Sequence, residues 1–84
     1  MKMKDDFKLY SEVQLTQALP DYGFEKGDVA TLVEIVDDKS GNTGYVLEFF
    51  DNSGATLKVI AVPENYIALP PKHAVVNYRP YKAA

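Results

Sequence analysis

Three groups of side chains in this 84-residue sequence could do chemistry: one imidazole, two runs of turn carboxylates and a set of aromatic rings. His73 is the single histidine and lies in Pro70-Pro71-Lys72-His73. An imidazole titrates near neutrality and can act as a general base. A catalytic triad also needs a nucleophile and an orienting acid, and no local signature supplies them, so His73 reads as an exposed linker residue. Cysteine is absent, which removes thiol nucleophiles, disulfides, Cys-ligated zinc and iron–sulfur clusters. Asp37-Asp38-Lys39-Ser40-Gly41-Asn42 and Asp51-Asn52-Ser53-Gly54 invite a Ca²⁺ reading. An EF-hand loop needs alternating oxygen ligands and a Glu at its twelfth position, which neither stretch has. Both have the residue types that hairpin turns require. The five glycines form no phosphate cradle, because no Gly-rich loop opens a helix and no Lys-Ser/Thr pair follows one. The expectation is no catalytic residue, no cofactor, no metal and no enzyme.

The aromatics Tyr22, Phe24, Tyr45, Phe49, Phe50 and Tyr66 could stack on single-stranded nucleic acid. Their neighbours argue otherwise, being Asp21, Glu25, Glu48, Asp51 and Glu64 where a stacking platform needs cations. Twelve carboxylates against nine Lys and Arg give a net charge of −3. The distribution is uneven. Residues 10–71 hold ten carboxylates and three lysines, a net of −7; residues 72–84 carry Lys72, Arg79 and Lys82, a net of +3. A negative body steers basic partners toward it and disfavours contact with nucleic acid. The residues expected to meet a basic protein are Asp21, Tyr22, Glu25, Asp28, Asp37, Asp38, Phe50, Asp51 and Tyr66, with Tyr78 and Arg79 from the basic arm. Phe49 and Phe50 cannot share a face if they lie in a strand. One of them must be covered by the arm, a second subunit or a partner, and the sequence leaves open which one faces the core.

The elements that position these residues read as short strands between turn signals. Val13 and Leu15 alternate with polar neighbours, the period-two pattern of a half-buried strand. Leu19-Pro20-Asp21-Tyr22-Gly23-Phe24 breaks it, and Lys26-Gly27-Asp28 turns into Val29–Val36, a β-branched strand expected to be mostly buried on both faces. A polar loop through Gly44 leads to a third strand, Tyr45–Phe50, and Asp51 to Gly54 closes the next hairpin. Ala55–Val62 is the fourth strand, Pro63 to Tyr66 a 3-10 turn, and Ile67–Leu69 the fifth strand. No stretch supports an amphipathic helix longer than two turns. The pattern predicts an all-β domain, a small five-stranded antiparallel barrel over residues 10–71. Residues 1–9 form an N-terminal extension, and residues 72–84 a basic C-terminal arm or an added edge strand at Ala74–Tyr78. No apolar run resembles a secretory signal or reaches the ~18–20 residues of a membrane span, so a cytoplasmic location is expected.

Phe24-Glu25-Lys26-Gly27-Asp28-Val29 is similar to the turn that enters the second strand of SH3 domains. Pro63-Glu64-Asn65-Tyr66-Ile67 resembles their Pro-x-Asn-Tyr segment, the 3-10 turn before the last strand. That resemblance would place Pro63 and Tyr66 in a proline-rich-peptide groove. The chain has no Trp for the groove and lacks the Ala-Leu-Tyr-Asp-Tyr opening.

A fuller resemblance is to a bacterial small-protein family, domain of unknown function four-nine-two-six. It is carried by Tyr10, Val13, Leu15, Leu19, Pro20, Gly23, Phe24, Gly27, Asp28, Thr31, Val33, Glu34, Tyr45, Val46, Glu48, Phe49, Asp51 and Gly54. Phe24, Ala30, Leu32 and an inserted Leu47 depart from the family pattern. The resemblance implies an SH3-like barrel in a bacterium, from genes that often neighbour small toxin or nuclease genes. It therefore implies an antitoxin or immunity-like protein that binds a basic, toxin-like partner. The alternatives are an accessory subunit of a larger complex, docking through its barrel or arm, and weak nucleic-acid binding by the arm. A barrel of this size buries a modest core, so a homodimer or burial against a partner is a natural way for it to gain stability.

Overall fold

The computed structural model describes residues 7–75 and 78–83. Five strands form in the expected order: β1 (Glu12–Leu15), β2 (Val29–Asp37), β3 (Thr43–Phe50), β4 (Thr56–Pro63) and β5 (Ile67–Ala68). Pro20–Tyr22 and Glu64–Tyr66 are 3-10 turns, and the second of them stands before the last strand as the sequence predicts. All strands join one antiparallel sheet in the order β4-β3-β2-β1-β5. The all-β, five-stranded antiparallel class is therefore as expected. Its edges are β4 and β5, with no ladder between them among the described residues.

The inner face of the sheet gathers one core from all five strands. Val13 and Leu15 come from β1, Ala30 and Leu32 from β2, Tyr45, Leu47 and Phe49 from β3, Val62 from β4 and Ile67 from β5. Strict alternation in β1 and β3 puts these residues on one side. Phe7, from the segment expected to be a mere extension, is buried too and meets Tyr45 edge-on at 5.7 Å between ring centroids. The first six residues lie outside the described part.

Two bulges correct the simple alternation. In β2 the register shifts between Leu32 and Glu34, so inward parity passes from Leu32, opposite Leu47, to Ile35, opposite Tyr45. The expectation that β2 is mostly buried on both faces is wrong: outward Val29 and Val36 are each 45% exposed, and even Ile35, on the inward parity toward the end of the strand, is 38% exposed. On the outer parity Thr31 and Val33 are only half-buried, and β-branched composition alone cannot report that. In β4 the register shifts where Phe49 faces Lys58 and Phe50 faces Thr56. The bulge lets Leu57 pack against the core together with Ile60 and Val62, while Val59 is 51% exposed.

Candidate interaction site

The segment between β1 and β2, residues 16–28, is folded by its own backbone bonds. Leu19 and Phe24 form an antiparallel bridge around the 3-10 turn, Leu19 N donating to Phe24 O at 2.9 Å. Gly23 ends that turn in the left-handed region at φ 80°, where a side chain would clash with its own backbone. Gly27 N donates to Leu15 O at 2.9 Å, and Glu25 N donates to the Asp28 carboxylate at 2.8 Å. The loop thus presents the Asp28 and Glu25 carboxylates and the Tyr22 and Gly23 carbonyls beside the ring of Phe24.

The basic arm lies across this loop. Arg79 donates from Nε to Asp28 Oδ1 at 2.9 Å and from a terminal nitrogen to Asp28 Oδ2, a bidentate pairing. The same terminal nitrogen reaches Gly23 O at 3.2 Å, and Nε lies 3.6 Å from Glu25 Oε1. The hydrogen bond to Asp28 raises the pKa of Arg79 above its already high value, against the burial that would lower it, so the guanidinium stays charged. Tyr81 donates its hydroxyl to Tyr22 O at 2.8 Å. Its ring stacks on Phe24 at 5.2 Å, and Phe24 in turn stacks on Phe49 at 3.9 Å. Asp28 and Arg79, both expected to face a partner, therefore engage each other. Spacing along the chain gave no sign of this pair, or of Tyr81 as a packing residue. The +3 arm beside a −7 body was the available signal.

The remaining expected contact residues divide by topology. Gln14 pairs with Val29, and Thr31 with Glu48, so residues 16–28 and 51–55 leave the sheet at the same end. Exposed Asp21, Tyr22, Glu25, Phe50 and Asp51 belong to that end. Phe49 is buried and Phe50 is 43% exposed, which answers the question the sequence left open. Asp37, the last residue of β2, and Asp38, in the β2–β3 turn, sit at the other end. Asp37 accepts from Thr43 Oγ1 at 2.6 Å, and Asp38 accepts from Ser40 N at 2.8 Å and Asn42 N at 2.9 Å. Asp51 accepts from Ser53 Oγ at 2.6 Å, Ser53 N at 2.8 Å and Ala55 N at 3.0 Å. These bonds hold Asp38, chiefly through the Asn42 amide, and Asp51, chiefly through the Ser53 hydroxyl, below the ordinary carboxylate range. Both carboxylates thus shape their own turns.

Tyr66 is half-buried against the core, and its carbonyl accepts from Thr16 N at 2.9 Å. His73 is exposed, and Tyr78 is 80% exposed. The edge strand considered at Ala74–Tyr78 includes Val76 and Asn77, which lie outside the described residues; Ala74, Val75 and Tyr78 are not in a strand. No helix among the described residues is long and apolar enough to cross a membrane.

No curated protein and no solved structure matches the chain. Residues 9–69, from just before β1 to just past β5, match the family described as Domain of unknown function (DUF4926). They include the loop that receives the arm and every strand of the sheet. The match spans well over half of the sequence, and the chain belongs to that family.

Proposed function

We propose that this protein is a non-enzymatic interaction module that binds a basic protein, acting as an antitoxin or immunity-like protein that masks a nuclease-type toxin in a bacterial cytoplasm. The observation that carries this reading is the grouping of exposed Asp21, Glu25, Asp51 and Tyr22, on loops leaving one end of the sheet, with exposed Phe50, the last residue of β3 at that end. Aromatic anchors within a charged rim are what protein interfaces use for affinity and orientation. A nuclease surface that grips phosphates is basic, so the acidic end of this sheet is its electrostatic complement. Asp37 and Asp38, at the far end, add to the long-range field rather than to the contact. Co-expression with the product of the adjacent gene tests the reading. A stable complex that silences the partner's nuclease activity is expected; two monomers and a fully active partner would sink it.

A second reading, docking as an accessory subunit through the arm, is favoured by Val75 and Tyr78, which are 82% and 80% exposed. Replacing both with Ser leaves the Arg79 contacts in place, and loss of a captured complex on that change alone favours the arm. Nucleic-acid binding by the arm is weaker as a reading, because Arg79 is committed to Asp28 and leaves Lys72 and Lys82. No salt-sensitive gel shift is expected at low ionic strength.

A further inference from the structure

The contacts between the arm and the body are those of a bound ligand. Apart from the local turn in which Ala74 N donates to Pro71 O, the polar contacts of the arm with the body among the described residues come from Arg79 and Tyr81, and their acceptors lie on residues 22–28. That loop is fixed by bonds to which the arm contributes no atom: the Leu19–Phe24 bridge, the Gly27 amide on the Leu15 carbonyl of β1, and the Glu25 amide on Asp28 Oδ2, an oxygen that also accepts from Arg79. Arg79 and Tyr81, two residues apart, fill two matched subsites. One is a carboxylate fork with a carbonyl, shaped for a planar guanidinium. The other is the face of Phe24, with the Tyr22 carbonyl at its rim to receive a phenol hydroxyl.

We propose that the cradle formed by Phe24, Glu25, Asp28 and the Tyr22 and Gly23 carbonyls is a recognition site for a basic-aromatic segment, an arginine followed two residues later by an aromatic ring. The arm occupies this site in cis, and a partner presenting the same pair takes its place. This inference rests on the reading of the chain as a binder of a basic protein, and it specifies what in that partner is recognised. A tethered arm acts at an effective concentration of ~mM, so a competing segment meets a site that is mostly filled. Its apparent affinity falls by the fraction of open sites. Occupation by the arm therefore sets a threshold that only a partner with further contacts exceeds.

The test uses the full chain and a blocked five-residue peptide copying Tyr78 to Lys82, titrated while backbone amide resonances are followed. With the Arg79→Ala/Tyr81→Ala variant, saturable changes at Phe24, Glu25 and Asp28 are expected, at least ten-fold tighter than with the unaltered chain and weakening as salt rises. Adding Asp28→Asn, or replacing the peptide's arginine by lysine, is expected to weaken binding at least ten-fold. Should the double variant lose its dispersed spectrum, Arg79→Gln keeps Tyr81 on Phe24 and is expected to bind the peptide more tightly than the unaltered chain. No saturable change on a folded variant, or equal affinity for variant and unaltered chains, overturns the proposal. So does a dimer of the unaltered chain that Arg79→Ala dissolves, since the occupant would then be a second copy's arm. Absence of peptide binding with the nuclease complex intact removes only this site. Peptide binding without any such complex removes only the toxin-neutralising role.

Discussion

Tyr45 is fully enclosed, yet its hydroxyl has no hydrogen-bond partner among the described residues. Burial, with the nearby Glu64 and Asp37 carboxylates, raises its pKa above the ordinary tyrosine value, so the phenol stays neutral. A buried donor without a partner keeps its desolvation penalty and gains nothing in return. Tyr45→Phe is therefore expected to leave stability unchanged or raise it by about 1 kcal/mol, as read from urea unfolding. Leu47, equally buried, has no such defect, and Leu47→Ala is expected to cost about 2–5 kcal/mol through lost transfer energy and a cavity. Arg79 lies between these cases. Its side chain is 31% exposed beside an Asp28 that is 19% exposed, so water screens part of the attraction. Arg79→Ala is expected to cost about 1 kcal/mol in the same assay, most of it from the Asp28 contact.

Turns and bulges, rather than strand length, decide what this sheet presents. The Asp38 and Asp51 carboxylates fold their hairpins by accepting bonds from amides and hydroxyls two to four residues ahead. Both pKa values are depressed in the folded chain, so the folded state binds fewer protons than the unfolded state as pH approaches the unfolded value of ~3.9. The stability they contribute is fully present above that value and is lost as pH falls through the folded one. Amide exchange at Ser53 and Ala55 is expected to accelerate, relative to its intrinsic rate, as pH drops below ~4. In Asp51→Ala that step disappears from the β3–β4 turn and remains in the β2–β3 turn. Gly27 is the backbone counterpart. It holds φ 94° where residues 16–28 rejoin β2, and an added Cβ would lie 3.9 Å from the Gln14 amide nitrogen, so space is available but the dihedral is not. Gly27→Ala is expected to destabilise by about 1–2 kcal/mol, seen as a lower urea midpoint.

For the whole molecule, the −7 body meets its own +3 arm at residues 22–28, while Asp21 and the 68%-exposed Glu25 side chain still turn negative charge toward water, where the partner proposed above would meet it. Replacing Asp21 and Glu25 by Asn and Gln is expected to slow association with a basic partner several-fold at low salt, with dissociation little changed. The difference should vanish as ionic strength rises in stopped-flow measurements. Phe50→Ser tests the aromatic part of the same surface. It should shift unfolding by no more than about 0.5 kcal/mol while weakening the complex, because the ring is 43% exposed in the free chain. The strands, the turns between them and the 3-10 turn before β5 were legible in the sequence, because alternation, Asp/Asn/Gly turn chemistry and proline placement act over a few residues. The acidic body and basic arm were legible as arithmetic. Tertiary structure alone decided that Phe49 enters the core and Phe50 does not, that Phe7 and Tyr81 pack from the two ends of the chain, and that the acidic turns divide between opposite ends of the sheet. It also decided that Arg79 meets Asp28 across 51 positions of sequence. The reason is physical: local spacing encodes torsions and alternation, whereas the inward side of a strand, the position of a bulge and the partner of a distant charge depend on contacts that exist only once the strands have paired and packed on their core.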